Sequence, residues 1–135
     1  MKTRFGFVPL RLIVLVAWGL LAIILTTQSD RLPLVHLMTS TIGSTDLGDA
    51  LGHAGLFGVL TFAVYMVMAI RLKREWALPL AMFVVLSLGG LTELSQFGVL
   101  NRAPSVSDLL ANSLGVFVVG FAMSYLSILR SRYAL

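Results

Sequence analysis

Four long apolar runs, bounded by clusters of basic residues, constrain this chain more than any other feature. They cover about 12–27, 51–70, 77–97 and 109–129. An α-helix rises about 1.5 Å per residue, so about 20 residues cross the ~30 Å hydrocarbon core of a bilayer. Within that core every backbone N–H and C=O must find an internal partner, and a continuous apolar run meets that demand as a helix. The expected fold is therefore all-α, an integral membrane bundle of four transmembrane helices that uses residues 1–135 as a single domain. Composition agrees: 58% of residues are hydrophobic and 12% charged, and the mean hydropathy is +0.94. That is too little polar side chain to cover a water-soluble globule of this length.

The first run is the shortest and follows Lys2, Arg4 and Arg11, a pattern that signal peptides share. Leu25, Thr26, Thr27, Gln28, Ser29 and Asp30 lack the small-x-small pattern of a cleavage site, so a retained helix is expected. Orientation follows from the cations, because Lys and Arg stay on the cytoplasmic side during insertion. In an alternating four-span topology Lys2, Arg4, Arg11, Arg71, Lys73, Arg74, Arg130 and Arg132 share one side, leaving only Arg31 and Arg102 opposite. Of the acids only Glu75 joins the basic side. Both termini are thus expected in the cytoplasm (N-in/C-in), in the multi-pass arrangement of an inner (cytoplasmic) membrane protein. The net charge of +4 sets topology here, and nucleic acid is not an expected partner. With no cysteine, disulfides, thiolate nucleophiles and thiolate metal sites are excluded.

The connector from about 28 to 48 contains Leu32, Pro33, Leu34, Val35, His36, Leu37 and Met38. It reads equally as a segment lying in the membrane interface or as an unstructured link. Gly48 and Gly52, Ala111 and Gly115, and Gly120 and Ser124 are each four apart, with Gly55 and Gly58 between the first two sets. Such small residues let helix backbones approach closely, within a bundle or between copies of it.

Polar residues interrupt the apolar runs in three pairs, each on one helix face. Asp49 and His53 open the second helix, Glu93 and Gln96 close the third, and Asp108 and Asn112 open the fourth, with Arg102 in the loop between the last two. Glu93 lies 16 residues beyond Ala77, about 24 Å along a ~30 Å path, so it stands about one turn below the outer surface. His53 and Asn112 are each one turn inside their helix starts. The three inner residues therefore reach one layer near the outer face. Taken singly, Asp49 and Asp108 also suit the positive ends of helix dipoles, and Asn112, Gln96 and His53 suit hydrogen bonding between helices. Glu93 is costlier, since an acid inside a span costs about 2.5–3.5 kcal/mol on insertion scales and faces a partner or an aqueous cavity.

The ordered set Asp49-x3-His53, Glu93-x2-Gln96, then Arg102-x2-Ser105-x2-Asp108-x3-Asn112-x2-Gly115 resembles the VanZ-like family of small bacterial membrane proteins. The resemblance covers about half of the chain, from Asp49 to Gly120. It implies a bacterial cell-envelope protein, in a family named for a member that lowers susceptibility to the glycopeptide teicoplanin, and it implies no known reaction.

From the residues themselves, Asp49, His53, Glu93, Gln96, Arg102, Asp108 and Asn112 form a candidate ligand-binding site. Two helix N-termini and Arg102 suit an anionic group, with Asn112 and Gln96 adding hydrogen bonds. The leading expectation is recognition of the polar head of an envelope lipid or lipid-linked precursor, with membrane lipids as partners. A catalytic version makes His53 or Glu93 a general base, but no nucleophile–base pair is recognisable and catalysis is left undecided. A divalent metal on Asp49, His53, Glu93 and Asp108 is chemically allowed, yet no ligand motif of established spacing is present, and neither a metal nor another cofactor is expected. The competing expectation is a non-catalytic accessory subunit of a larger membrane protein complex, or a homo-oligomer, with the polar cluster locking the bundle.

Overall fold

A computed structural model describes residues 7–27, 37, 40–41, 45–97 and 104–133, with the side chains of the first helix described over 12–22. The described residues form four helices: α1 (Phe7–Thr27), α2 (Asp46–Met68), α3 (Arg74–Ser95) and α4 (Val106–Tyr133). Helices α2, α3 and α4 are long and apolar enough to cross a membrane, whereas the described apolar part of α1, Leu12–Ala22, is shorter. Three such helices, with Phe62, Phe83, Leu114, Phe117, Val118 and Phe121 exposed on their outer faces, are those of a membrane-embedded protein. The connector expected at 28–48 falls mostly outside the described residues, as does Arg102.

Helices α2 and α4 begin before their apolar runs because capping, not hydropathy, sets those starts, whereas α2 and α3 end two residues short of the runs expected to 70 and 97. At the start of α2 the Thr45 hydroxyl accepts from Gly48 N at 3.0 Å and the Thr45 carbonyl from Asp49 N at 2.9 Å. This N-cap starts α2 at Asp46, five residues before the run at 51. At its other end the N–H groups of Arg71 and Leu72 return to the Met68 carbonyl at 3.0 and 2.9 Å, closing a short turn into α3. Consecutive helices joined this way run antiparallel, so the N-termini of α2 and α4 share one end of the bundle with the C-terminus of α3.

The core is narrow and built from α2 and α3: Phe57, Leu60, Val64, Tyr65, Ala77, Ala81 and Val85, with Val116 from α4 and Ala22 from α1. Helix α1 is fixed by a polar contact, Trp18 Nε1 donating to the Leu56 carbonyl at 3.0 Å. Between α2 and α4 the packing is backbone on backbone. A Cβ added at Gly115 would fall on the Ala54 carbonyl group, and one added at Gly58 would meet the Gly115 carbonyl oxygen at 3.2 Å. Gly120 is similarly occupied by Met82, while a Cβ at Gly55 would meet nothing within 4 Å. The small residues are thus not equivalent: Gly115 decides how closely α2 and α4 approach.

Replacement of Gly115 by Ala is therefore expected to force the two backbones apart and to cost roughly 1–3 kcal/mol, as other overpacked sites do. Gly55→Ala should be neutral or slightly stabilising, because it gains helix propensity without a clash. Thermal melting in detergent compares the two, and equal melting temperatures would contradict this packing.

Candidate functional site

Six polar residues are buried among the described residues: His53, Thr61, Thr92, Glu93, Gln96 and Asn112. The threonines are satisfied within their own helices, Thr61 by the Phe57 carbonyl at 2.8 Å and Thr92 by the Gly89 carbonyl at 2.8 Å. The other four lie at the end of the bundle where α2 and α4 begin and α3 finishes. Burying such groups without partners costs several kcal/mol each in an apolar medium, so their partners define what the site is.

Two bonds between elements organise it. His53 Nδ1 lies 2.9 Å from Asn112 Oδ1, joining α2 to α4 at a point where both residues are more than nine-tenths buried. An oxygen acceptor requires the proton to be on Nδ1, which leaves the Nε2 lone pair of a neutral ring available. The second bond runs from Ser105 N to Glu93 Oε2 at 3.1 Å, tying the start of α4 to the end of α3. Glu93 Oε1 and Asn112 Nδ2 are buried and have no hydrogen-bond partner among the described residues.

Ser105 explains how these residues are positioned. Its hydroxyl accepts from Asp108 N at 3.3 Å and its carbonyl from Leu109 N at 3.2 Å, so it is the N-cap of α4. Ser105-x-x-Asp108 matches a capping box, in which the acid would reach back to the N–H of the capping residue. Here Glu93 takes that N–H instead. The Asp108 carboxylate is thereby released from capping, and it approaches Asp49 and His53. One ring nitrogen of His53 and one carboxylate oxygen of each of Asp49 and Asp108 lie within 4.8 Å of one another.

Of the seven residues expected to form one site, Arg102 lies outside the described residues, and the other six fall into smaller groups at one end of the bundle. Asp49, His53 and Asp108 come together, with Asn112 behind the histidine; Glu93 bonds Ser105, and Gln96 is buried nearby as the C-cap of α3. Sequence reasoning gave Ser105 no role of its own, although the capping-box spacing is visible in the sequence. Among the described residues the only ion pair is the exposed Lys73–Glu75 contact of 3.9 Å at the opposite end, so none of the acids at this end is paired with a described cation.

Beside Glu93 a groove of about 420 Å³ opens between α3 and α4. Leu94, Phe97, Pro104, Val106 and Leu109 give it apolar walls, and Gly90, Glu93 and Ser105 complete the lining. A Cβ at Gly90 would meet nothing within 4 Å, so the groove stays open along the helix backbone there.

Comparison with protein-family models, with characterised proteins and with solved structures finds no match to this chain.

If the His53–Asn112 bond joins α2 to α4 as described, a double-mutant cycle of His53→Ala and Asn112→Ala in detergent melting should give a coupling of about 0.6–1.7 kcal/mol, the range of hydrogen bonds between membrane helices. Strictly additive effects would remove the bond from the account.

Proposed function

We propose that this protein holds the polar head of an envelope lipid, or of a lipid-linked precursor, at the end of the bundle where α2 and α4 begin. In this reading the chain crosses a bacterial inner membrane four times, with both termini in the cytoplasm and the site at the outer face. Eight of the ten Lys and Arg residues fall on the cytoplasmic side of that topology. The ordered polar pairs from Asp49 to Gly115 support a VanZ-like assignment.

The observation that carries the lipid reading is the pairing of an apolar groove with a buried polar group at its wall. A lipid is the ligand that needs both at once. Leu94, Phe97, Val106 and Leu109 line a groove for a hydrocarbon chain, and the buried Glu93–Ser105 bond lies behind its wall. An accessory-subunit role draws on the exposed apolar face of α4, Leu114, Phe117, Val118 and Phe121, but acyl chains cover that face equally well.

Gly90→Phe provides the test, because its side chain would enter the groove from a position that has no neighbour to clash with. Protein purified in mild detergent should retain a lipid detectable by native mass spectrometry, and Gly90→Phe should cut that retention at least about five-fold with the melting temperature unchanged. Cysteines placed at Ser107 and Lys73 report orientation in intact cells, where an impermeant maleimide should label the first and spare the second. Equal lipid retention by the two proteins, or the reverse labelling pattern, would overturn the reading.

A further inference from the structure

We infer that Asp49, His53 and Asp108 form a binding site for a first-row divalent cation, oriented from behind by Asn112. Three observations converge. The donor atoms of the three residues lie within 4.8 Å of one another, yet no hydrogen bond or ion pair joins the ring to either carboxylate. They are too far apart to satisfy one another and near enough to share an ion. Ligands at about 2.0–2.2 Å from a tetrahedral centre stand about 3.4 Å apart, so the donors need to close by up to about 1.4 Å. Asp49 and Asp108 are half-buried and carry no side-chain bond among the described residues, which leaves their torsions free to make that adjustment.

The second observation is the histidine itself. His53 is 8% exposed, and the contact with Asn112 Oδ1 at 2.9 Å uses Nδ1 and leaves Nε2 without a hydrogen bond among the described residues. A metal-bound histidine characteristically donates its other N–H to a fixed acceptor, which holds the tautomer and the ring angle. Asn112, 2% exposed, is such an acceptor. A histidine serving only to lock α2 to α4 has no need of two carboxylates converging on it.

The third is the release of Asp108. Glu93 occupies the Ser105 N–H that the Asp108 carboxylate would otherwise take, so the acid faces the cluster instead of its own helix cap. Glu93, considered with them from sequence, is not among the residues whose donor atoms come within 4.8 Å of one another. One imidazole and two carboxylates suit Mn²⁺ and Zn²⁺ better than Cu⁺, which prefers thiolates, or Mg²⁺ and Ca²⁺, which prefer oxygen alone. Three protein ligands leave a coordination position open to water or to an oxygen of a bound molecule.

The site stands apart from the lipid reading, which rests on the groove between α3 and α4. The test uses the full-length protein in detergent, stripped with a chelator and titrated with Mn²⁺ under EPR detection, then with Zn²⁺ as competitor. One equivalent of Mn²⁺ should bind and be displaced by Zn²⁺, in keeping with the affinity order of these metals. Asp49→Asn and Asp108→Asn should each weaken binding at least about ten-fold, and Asn112→Leu about ten- to hundred-fold, as loss of a supporting partner does. Asp46→Asn, an exposed acid in the first turn of the same helix, should leave it unchanged, and so should Gly90→Phe. No stoichiometric binding, or a loss on Asp46→Asn equal to that on Asp49→Asn, would overturn the site as adventitious attraction to acidic residues. Metal binding retained in Gly90→Phe while lipid is lost would separate the two proposals.

Discussion

The pairing of polar residues across α2 and α4 depends on how closely the two helices approach. Gly115 lacks a Cβ where one would collide with the Ala54 carbonyl group, and that contact sets the separation of the two backbones. His53 precedes Ala54, and Asn112 lies one turn before Gly115. Helices held at a wider spacing would leave His53 and Asn112 as two buried polar groups with no partner, in surroundings where each is costly. In lipid there is no hydrophobic drive between helices, so a close van der Waals fit and hydrogen bonds across it have to supply the association. The Ala54–Gly115 contact and the His53–Asn112 bond are thus one unit of structure.

A second constraint acts between α3 and α4. Glu93 is an acid buried at the end of an apolar helix, and its bond to Ser105 N fixes the first turn of α4 to the last turn of α3. The cap formed by Ser105 then determines where Asp108 stands. A buried carboxylate thereby acts as a structural anchor through one oxygen, in a residue that also lines the apolar groove. Two polar bonds, one per helix pair, arrange an acid-rich end that is otherwise surrounded by apolar side chains.

Much of the helical framework was legible in the sequence, because apolar runs of span length have one stable backbone solution in a bilayer. The helix ends were less so. Thr45 and Ser105 lie in polar stretches, and their capping bonds extend α2 and α4 beyond the runs expected at 51–70 and 109–129. The polar pairs were visible from their spacing, since residues three or four apart share a face. Which residue pairs with which was not visible, because it depends on helix rotation and separation. Spacing grouped Glu93 with His53 and Asp108 at one end of the bundle, but its bond to Ser105 could not be read from it. Small residues at intervals of four were equally visible, but only contact across the helices distinguishes Gly115, which cannot take a Cβ, from Gly55, which can. Trp18, whose indole nitrogen reaches the Leu56 carbonyl, gave no signal in an otherwise apolar run.

The central claim is that close approach of α2 and α4 fixes His53 as the Nδ1–H tautomer with Nε2 left for a ligand. Nitrogen-15 NMR of the imidazole in the metal-free protein measures this directly, and His36→Gln makes His53 the only histidine in the chain. The account predicts a protonated Nδ1 and an unprotonated Nε2 in the parent protein, with that single tautomer lost in Gly115→Val, where the helices are forced apart. A protonated Nε2 in the parent protein, or the same spectrum in both, would contradict it.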